Sequence, residues 1–294
     1  MVLPDCGTPW LPGSVYLDER RSKGAEPSGK QTAWDAAPRP SSMCRADPKS
    51  SSGPQTTVTH MEPMPEDWHR AVAVVAHPDD LEYGAASAVA RWTSQGKEVA
   101  YLLATSGEAG IDGMDPSLAG PLREEEERRG AAIVGASSVD FLGHPDGLVE
   151  SEIHLRRDLA RALRRLQPDV VITMNFELTW GDGGSVNHSD HRAIGSTVLD
   201  ACRDAANRWI FADAGEPWAG IKFVYVAGAN SPTHFVDVGE TIDLGISSLR
   251  AHQVYIDGLG RTFDPDDFLR TMAGYSGMLA GCEYAVTFQR FAVG

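Results

Sequence analysis

Ala71-Val-Ala-Val-Val-Ala-His77-Pro-Asp79-Asp80-Leu-Glu82-Tyr-Gly84 is the stretch that decides the fold. Its apolar, β-branched run reads as a buried strand, and it ends at once in a histidine, a proline and two adjacent carboxylates. A helical pattern starts directly behind them, through Ala85, Ala86, Val89 and Trp92. Open α/β sheets place their chemistry at such strand-to-helix turns, where backbone ends and loops face the crevice. A capping box explains part of the pattern, with Asp79 as cap and Glu82 three residues on. One cap accounts for one carboxylate. It does not account for two carboxylates and an imidazole at the exit of one strand.

Outward from this turn, strands and helices alternate. Strands are expected over 71–76, 98–105, 138–142 and 169–174, and near 222–226, 234–238 and 284–291. The periodicity predicts helices over 81–94, from Pro121 onward, over 153–167, from His191 to about 207, and near 241–255 and 266–279. In the helix from Pro121, Glu124 to Glu127 fall in the first turns and suit the helix dipole, with Arg128 and Arg129 as pairing partners. The alternation predicts an α/β protein with a Rossmann-like, mostly parallel sheet and helices on both faces. The loop over 175–190, which holds Trp180, Gly181, Gly183 and Gly184, is long for such a fold, and long loops after parallel strands carry sites. There is no glycine fingerprint for a dinucleotide after the first strand, and no nucleophile elbow around Ser87.

Residues 1–66 show no amphipathic pattern and are rich in Pro, Ser, Gly and Thr, a composition that cannot bury enough apolar surface to offset its ordering entropy. They are expected to be a disordered extension, or to lie upstream of a translation start at Met61 or Met64; residues 67–294 then form one catalytic domain. With 41 acidic against 26 basic residues and a net charge of -15, the chain is a poor partner for nucleic acid or an anionic membrane. The arginines 156, 157, 161, 164 and 165 read as a solvated helix face. No apolar run reaches the roughly 20 residues a membrane span needs, and no signal peptide is evident, so the cytoplasm is the expected compartment. Cys6, Cys44, Cys202 and Cys282 are too sparse for a disulfide scaffold or a thiolate metal site. His69, His144, His154, His234 and His252 are scattered and read as surface or packing residues.

A second constellation, Asn187-His188-Ser-Asp190-His191-Arg192, ends the long loop. Its two histidines are three apart, on one side of a nascent helical turn. Both constellations follow parallel strands and so face one crevice. Two histidines with one aspartate make the donor set of a catalytic zinc, with one position open to water. Iron(II) accepts the same donors.

At this point the residues resemble a known family, the LmbE-like, or PIG-L, N-acetylglucosaminyl deacetylases. Ala76-His77-Pro78-Asp79-Asp80, continued by Leu81-Glu82 and Gly84, looks like its first motif. The second, usually H-P-D-H, appears as His188-Ser189-Asp190-His191, with Ser189 in place of proline. Thr105-Ser-Gly-Glu108-Ala-Gly, Arg123 with Glu126, and Phe141-Leu-Gly-His-Pro-Asp146-Gly also look like family segments, so the resemblance covers roughly residues 70 to 260. It implies His77, Asp80 and His191 as metal ligands, Asp79 as general base, and His188 as oxyanion stabiliser or proton donor. Glu108, Arg123 and Asp146 are expected at the crevice rim, binding sugar hydroxyls. The implied activity is zinc-dependent removal of an N-acyl group, such as acetyl, from a glucosamine-containing small molecule. Glycopeptide-antibiotic tailoring is the favoured setting, because the Trp180 loop with Trp209 and Trp218 would suit a large aromatic glycoside. The alternatives are a mycothiol- or bacillithiol-type deacetylase, a thiol-conjugate amidase, and, in another class, an inactive sugar-binding module. The intact Asp79 speaks against the last. The expected partner is a small glycoside rather than nucleic acid or membrane; oligomeric state has no signature in the sequence.

Overall fold

Side chains of a strand point alternately to its two faces, so a strand that is apolar throughout must be covered twice. The opening strand behaves in this way. Ala71, Ala73 and Val75 join Tyr101, Leu103 and Ile172 in one core, while Val72, Val74 and Ala76 join Leu102, Val171 and Val224 in another. The computed structural model describes residues 61–181, 184–260 and 262–293. In chain order its elements begin with β1 (Glu62–Pro63), β2 (Arg70–Val75), α1 (Asp80–Gly84), α2 (Ala86–Ser94), β3 (Glu98–Leu103), α3 (Pro116–Ile133) and β4 (Ser138–Phe141). They continue with α4 (Ile153–Leu166), β5 (Val170–Met174), α5 (Ser189–Ala206), β6 (Phe223–Ala227) and β7 (His234–Asp237). The chain closes with α6 (Ile242–Arg250), α7 (Gln253–Gly258), α8 (Pro265–Ala280) and β8 (Ala285–Ala292).

The strands form one sheet in the order β1-β7-β8-β6-β5-β2-β3-β4. All pairs are parallel except those of β8, which runs antiparallel to both β6 and β7. Side chains of α2, α3, α6 and α8 fill one core, and those of α4 and α5 fill the other. The expected α/β sheet with helices on both faces is therefore what forms. From β2 the chain steps outward to β3 and β4, then returns to β2's other side at β5. The helices after β2 and after β5 pack on opposite faces, which opens a crevice beyond the carboxyl ends of those two strands.

Several boundaries differ from those the sequence suggested. The helix over 81–94 breaks at Ala85, directly after Gly84, into α1 and α2. The helix expected from Pro121 starts earlier, at Pro116, behind a cap in which Asp115 accepts the Ser117 N–H at 2.9 Å. Glu124 to Glu127 are thus mid-helix, beyond the reach of the dipole at its start, although Arg128 does pair with Glu124 at 2.9 Å. The fold also takes in residues 61–66, which the sequence left in the extension: Met61 and Met64 are buried on either side of β1, and β1 pairs with β7. So short a strand has no periodic signature. The rest of the expected extension, residues 1–60, lies outside the described residues.

The arginine face of α4 is not simply solvated. Arg156 pairs with Asp204, Arg157 with Asp213 and Arg165 with Asp140. Arg164 is buried and donates to the carbonyls of Asp204, Ala205, Asn207, Ile210, Phe211 and Gly215, stitching the segment after α5 to α4. Cys202 is a buried free thiol, held in its neutral form by desolvation.

Candidate active site

Asp79 stands at the N-cap of α1 yet caps nothing. Its backbone is left-handed, with φ 87°, and its side chain makes no cap hydrogen bond. Such a conformation costs a non-glycine residue on the order of 1 kcal/mol, aspartate being among the more tolerant types. The strained turn sends the two adjacent carboxylates in different directions. Asp80 Oδ2 folds back to accept the N–H groups of Ala76 at 3.0 Å and His77 at 2.8 Å. Asp79 Oδ2 instead lies 3.2 Å from Arg123 Nη2, its carboxylate accepts from Tyr255, and its backbone N–H donates to Glu127 Oε2 at 3.0 Å.

Across the crevice, the loop after β5 delivers His191 into the first turn of α5. His77 Nδ1 lies 3.2 Å from His191 Nε2, and Asp80 Oδ1 lies 3.1 Å from His191 Nε2. These ligand atoms of His77, Asp80 and His191 all fall within 4.8 Å of one another. The outer ring nitrogens are already engaged by acceptors. His77 Nε2 faces Asp146 Oδ1 at 3.1 Å and Asp190 Oδ2 at 3.2 Å, and His191 Nδ1 faces Asn187 Oδ1 at 2.9 Å. Those acceptors place the ring protons on the outside, so lone pairs of both imidazoles converge beside a carboxylate. That is a donor set which fits a divalent cation.

The surrounding charge favours the same conclusion. Burial opposes a cationic His77, but Asp80, Asp146 and Asp190 outweigh it and hold the ring's pKa well above its ordinary value. Burial likewise opposes ionised Asp80, and His191 and His77 outweigh it, so that carboxyl stays well below the usual range. Asp79 behaves oppositely: burial, helped by the neighbouring Asp80 charge and only partly offset by Arg123, lifts it to about 7. A second combination, His77, His188 and Asp190, also has its ligand atoms within 4.8 Å. His188 is otherwise occupied, since its Nδ1 accepts the Asp190 N–H at 3.2 Å, leaving the proton on Nε2. Burial and the charges of His77 and His191 lower its pKa, which favours the neutral ring.

The residues expected to bind sugar hydroxyls sit beneath the rim, each engaged within the protein. Arg123 is 2% exposed and donates to the carbonyls of Pro78 at 2.6 Å and Gly107 at 2.8 Å as well as to Asp79. Gly107 has φ 62°, and a Cβ there would come within 2.3 Å of the Arg123 guanidinium; only glycine lets the arginine through. Asp146 spends its carboxylate on His77 and on the Ala109 N–H, and Glu108 accepts the Asp146 N–H at 2.9 Å. Trp180 does reach the site, its ring 6.0 Å from that of His191. Trp218 does not: its indole donates to Pro168 O, at the opposite end of the sheet. Trp209 lies beyond the far end of α5, a helix about 27 Å long.

Asp190 and Asn187, quoted in the second motif without a role, hold the outer nitrogens; their adjacency to His188 and His191 was the available signal. Tyr255 and Glu127 had none. The run Glu124 to Glu127 read as acidic first turns suited to a helix dipole, yet Glu126 is buried and accepts the Val254 N–H at 2.6 Å at the start of α7, while Glu127 holds Asp79. Glu82, the other half of the supposed capping box, turns inward to accept from Ser248 Oγ at 3.0 Å.

The family model for PIG-L, described as GlcNAc-PI de-N-acetylase, matches residues 72–202. Diacetylchitobiose deacetylase from Thermococcus kodakarensis is 26% identical over 231 residues, covering 74% of this chain and 82% of that one. The uncharacterised deacetylase YaiS from Escherichia coli is 30% identical over 138 residues, covering 45% of this chain and 67% of YaiS. Among solved structures, N,N'-diacetylchitobiose deacetylase from Pyrococcus horikoshii superposes with a TM-score of 0.68 at 23% identity, over 77% of this chain and 85% of that one, a likeness of fold. The chain belongs to the PIG-L, or LmbE-like, family of N-acetylglucosaminyl deacetylases.

Proposed function

We propose that this protein removes the N-acetyl group from a glucosamine unit of a small glycoside, using a divalent ion held by His77, Asp80 and His191, with zinc the first choice and iron(II) the second. The observation that carries this reading is the left-handed turn at Asp79, which sends two adjacent carboxylates apart, Asp80 toward His77 and His191 and Asp79 toward Arg123, as a ligand and a separate base would need. A bound dication supplies an electrophile for the amide carbonyl and acidifies the attacking water. The protein's own groups do the rest. Asp79 takes the water's proton and returns it to the departing amine, which leaves acetate and a free amino sugar. Arg123 and Tyr255 hold that carboxylate in place. The neutral His188 offers its Nε2–H to the oxygen on which charge develops. Asp190 and Asn187 orient the rings of His77 and His191.

A second reading, a bulky apolar aglycone such as that of an acylated glycopeptide, is favoured by exposed apolar side chains on the two loops nearest the site. Leu148 lies between Gly147 and Val149, whose N–H groups donate to Asp190; Leu178 and Val186 flank Trp180 on a short bridged arm. The test is to incubate metal-loaded protein with diacetylchitobiose, an N-acetylglucosaminyl inositol, a mycothiol-type thiol conjugate and an acylated glycopeptide, and to follow released acid by mass spectrometry. Acetate from the disaccharide supports the first reading and acid from the glycopeptide alone the second. Release only from the inositol glycoside or only from the thiol conjugate would move the activity to the mycothiol-type alternatives. Binding without any released acid would leave only the sugar-binding module.

A further inference from the structure

Behind the catalytic turn lies another convergence of ligand-type atoms that the chemistry above does not use. Glu82 from α1, Glu127 from α3 and His252 from the junction of α6 and α7 are each at most 1% exposed. Their ligand atoms fall within 4.8 Å of one another, with His252 Nε2 at 3.7 Å from Glu82 Oε2 and at 3.7 Å from Glu127 Oε2. Those separations are too long for hydrogen bonds. They match donors about 2.0–2.2 Å from one shared ion, which sit about 3.4–3.7 Å apart. Glu82 Oε2, Glu127 Oε1, both ring nitrogens of His252 and the hydroxyl of fully buried Tyr101 have no hydrogen-bond partner.

Ser248 Oγ donates to Glu82 Oε1 and leaves Oε2 turned to His252, while the Asp79 N–H donates to Glu127 Oε2, the oxygen that also faces His252, and leaves Oε1 unpartnered. Carboxylates oriented by outer hydrogen bonds beside an imidazole are how a protein presents metal ligands. Among the described residues, neither glutamate has a lysine or arginine within ion-pair distance; burial lowers His252 to about 3, lifts Glu82 to about 8 and holds Glu127 well above the usual carboxylate range, so each group is neutral until a cation displaces the carboxyl protons. Two carboxylates and a neutral imidazole balance a dication in a place where no net charge is tolerable. We propose that Glu82, Glu127 and His252 form a second, sealed binding site for a divalent transition ion, separate from the site in the crevice. Its role is structural: it ties α1, α3 and the start of α7 together beneath the strained Asp79 backbone.

The rival occupant is a single buried water between protonated carboxyls. Metal stoichiometry separates the two. The full chain with Asp80→Asn, His191→Ala and His77→Ala lacks the crevice donors and leaves the buried ones untouched; retention is judged on this background. It is exposed to Zn2+ or Mn2+, gel-filtered, and analysed for metal per chain. About one tightly held ion supports the sealed site, and none overturns it, whether or not the crevice site of the native chain binds metal. As a cross-check, Glu82→Gln and Glu127→Gln added to that variant keep the side-chain shapes and remove the charges. Loss of the retained ion, with the melting temperature no longer raised by Zn2+, supports the assignment. Retention of the ion in the five-fold variant overturns it, because the metal then sits elsewhere.

Discussion

Two clusters of the same chemical makeup, carboxylate and imidazole, lie back to back in this protein. His77, Asp80 and His191 open onto the crevice between β2 and β5, while Glu82, Glu127 and His252 are enclosed behind it. The open set is built from loops at strand ends, where the backbone is free to aim side chains at a substrate. The sealed set is built from the inward faces of α1 and α3 and the junction of α6 and α7. The turn at Asp79 joins them, since its carboxylate serves the open side and its N–H is held from the sealed side. Donor type is alike in the two sets; access to the crevice and a neighbouring carboxylate, Asp79, set the open one apart.

The sharpest way to break the contrast is in the open set. Asp80→Ala is expected to abolish turnover and remove the crevice metal, seen by metal analysis beside an acetate-release assay. Residual activity at the native rate would exclude Asp80 as a ligand. Asp79→Asn should keep the metal and lower kcat on the order of 10²–10⁴-fold; loss of metal in this variant would mean that the two carboxylates have been exchanged. Asp190→Asn withdraws the charge that orients His77 and should lower metal affinity or activity about 10–100-fold. An unchanged binding isotherm and kcat would make Asp190 a bystander.

The sealed set should respond in stability rather than rate. His252→Leu leaves buried carboxylates without their imidazole and is expected to destabilise the fold by about 1–3 kcal/mol, read by denaturant melts. A loss of turnover as large as that of Asp79→Asn, at unchanged stability, would erase the distinction. The smallest effect lies outside both clusters. Glu66 is partly buried; its desolvation is outweighed by Arg91, Gln95 and Trp92, and its pKa falls below 4.5. Because the folded value is the lower one, its contribution is present above pH 4.5 and is lost as pH falls through the depressed value. Exposure and solvent screening keep it below about 1 kcal/mol, so Glu66→Gln should be slightly less stable at neutral pH, with the gap closing in acid.

How far the site was legible follows from chain distance. Each motif is a few residues long, and its side chains stay close however the rest folds. His77, Asp79 and Asp80 announce themselves in one turn, as do His188, Asp190 and His191. Arg123 was recognisable, but its direction was not. At the rim it would have met substrate; the helix starting at Pro116 turns it under the turn instead, through the gap left by Gly107. His252 was indistinguishable from a packing histidine, because its partners lie 170 and 125 positions away and His252 itself belongs to no motif.

The sequence by itself determined the parallel α/β sheet, since strands apolar on both faces and alternating with amphipathic helices have few other ways to cover themselves. It also determined the donor types at the two strand ends. Only the tertiary structure decided which ring nitrogens converge, which carboxylate turns away, and that Glu126 and Glu127 point inward rather than into solvent. Those outcomes depend on packing and hydrogen bonding between elements far apart in the chain, where local periodicity carries no information and burial sets the energy.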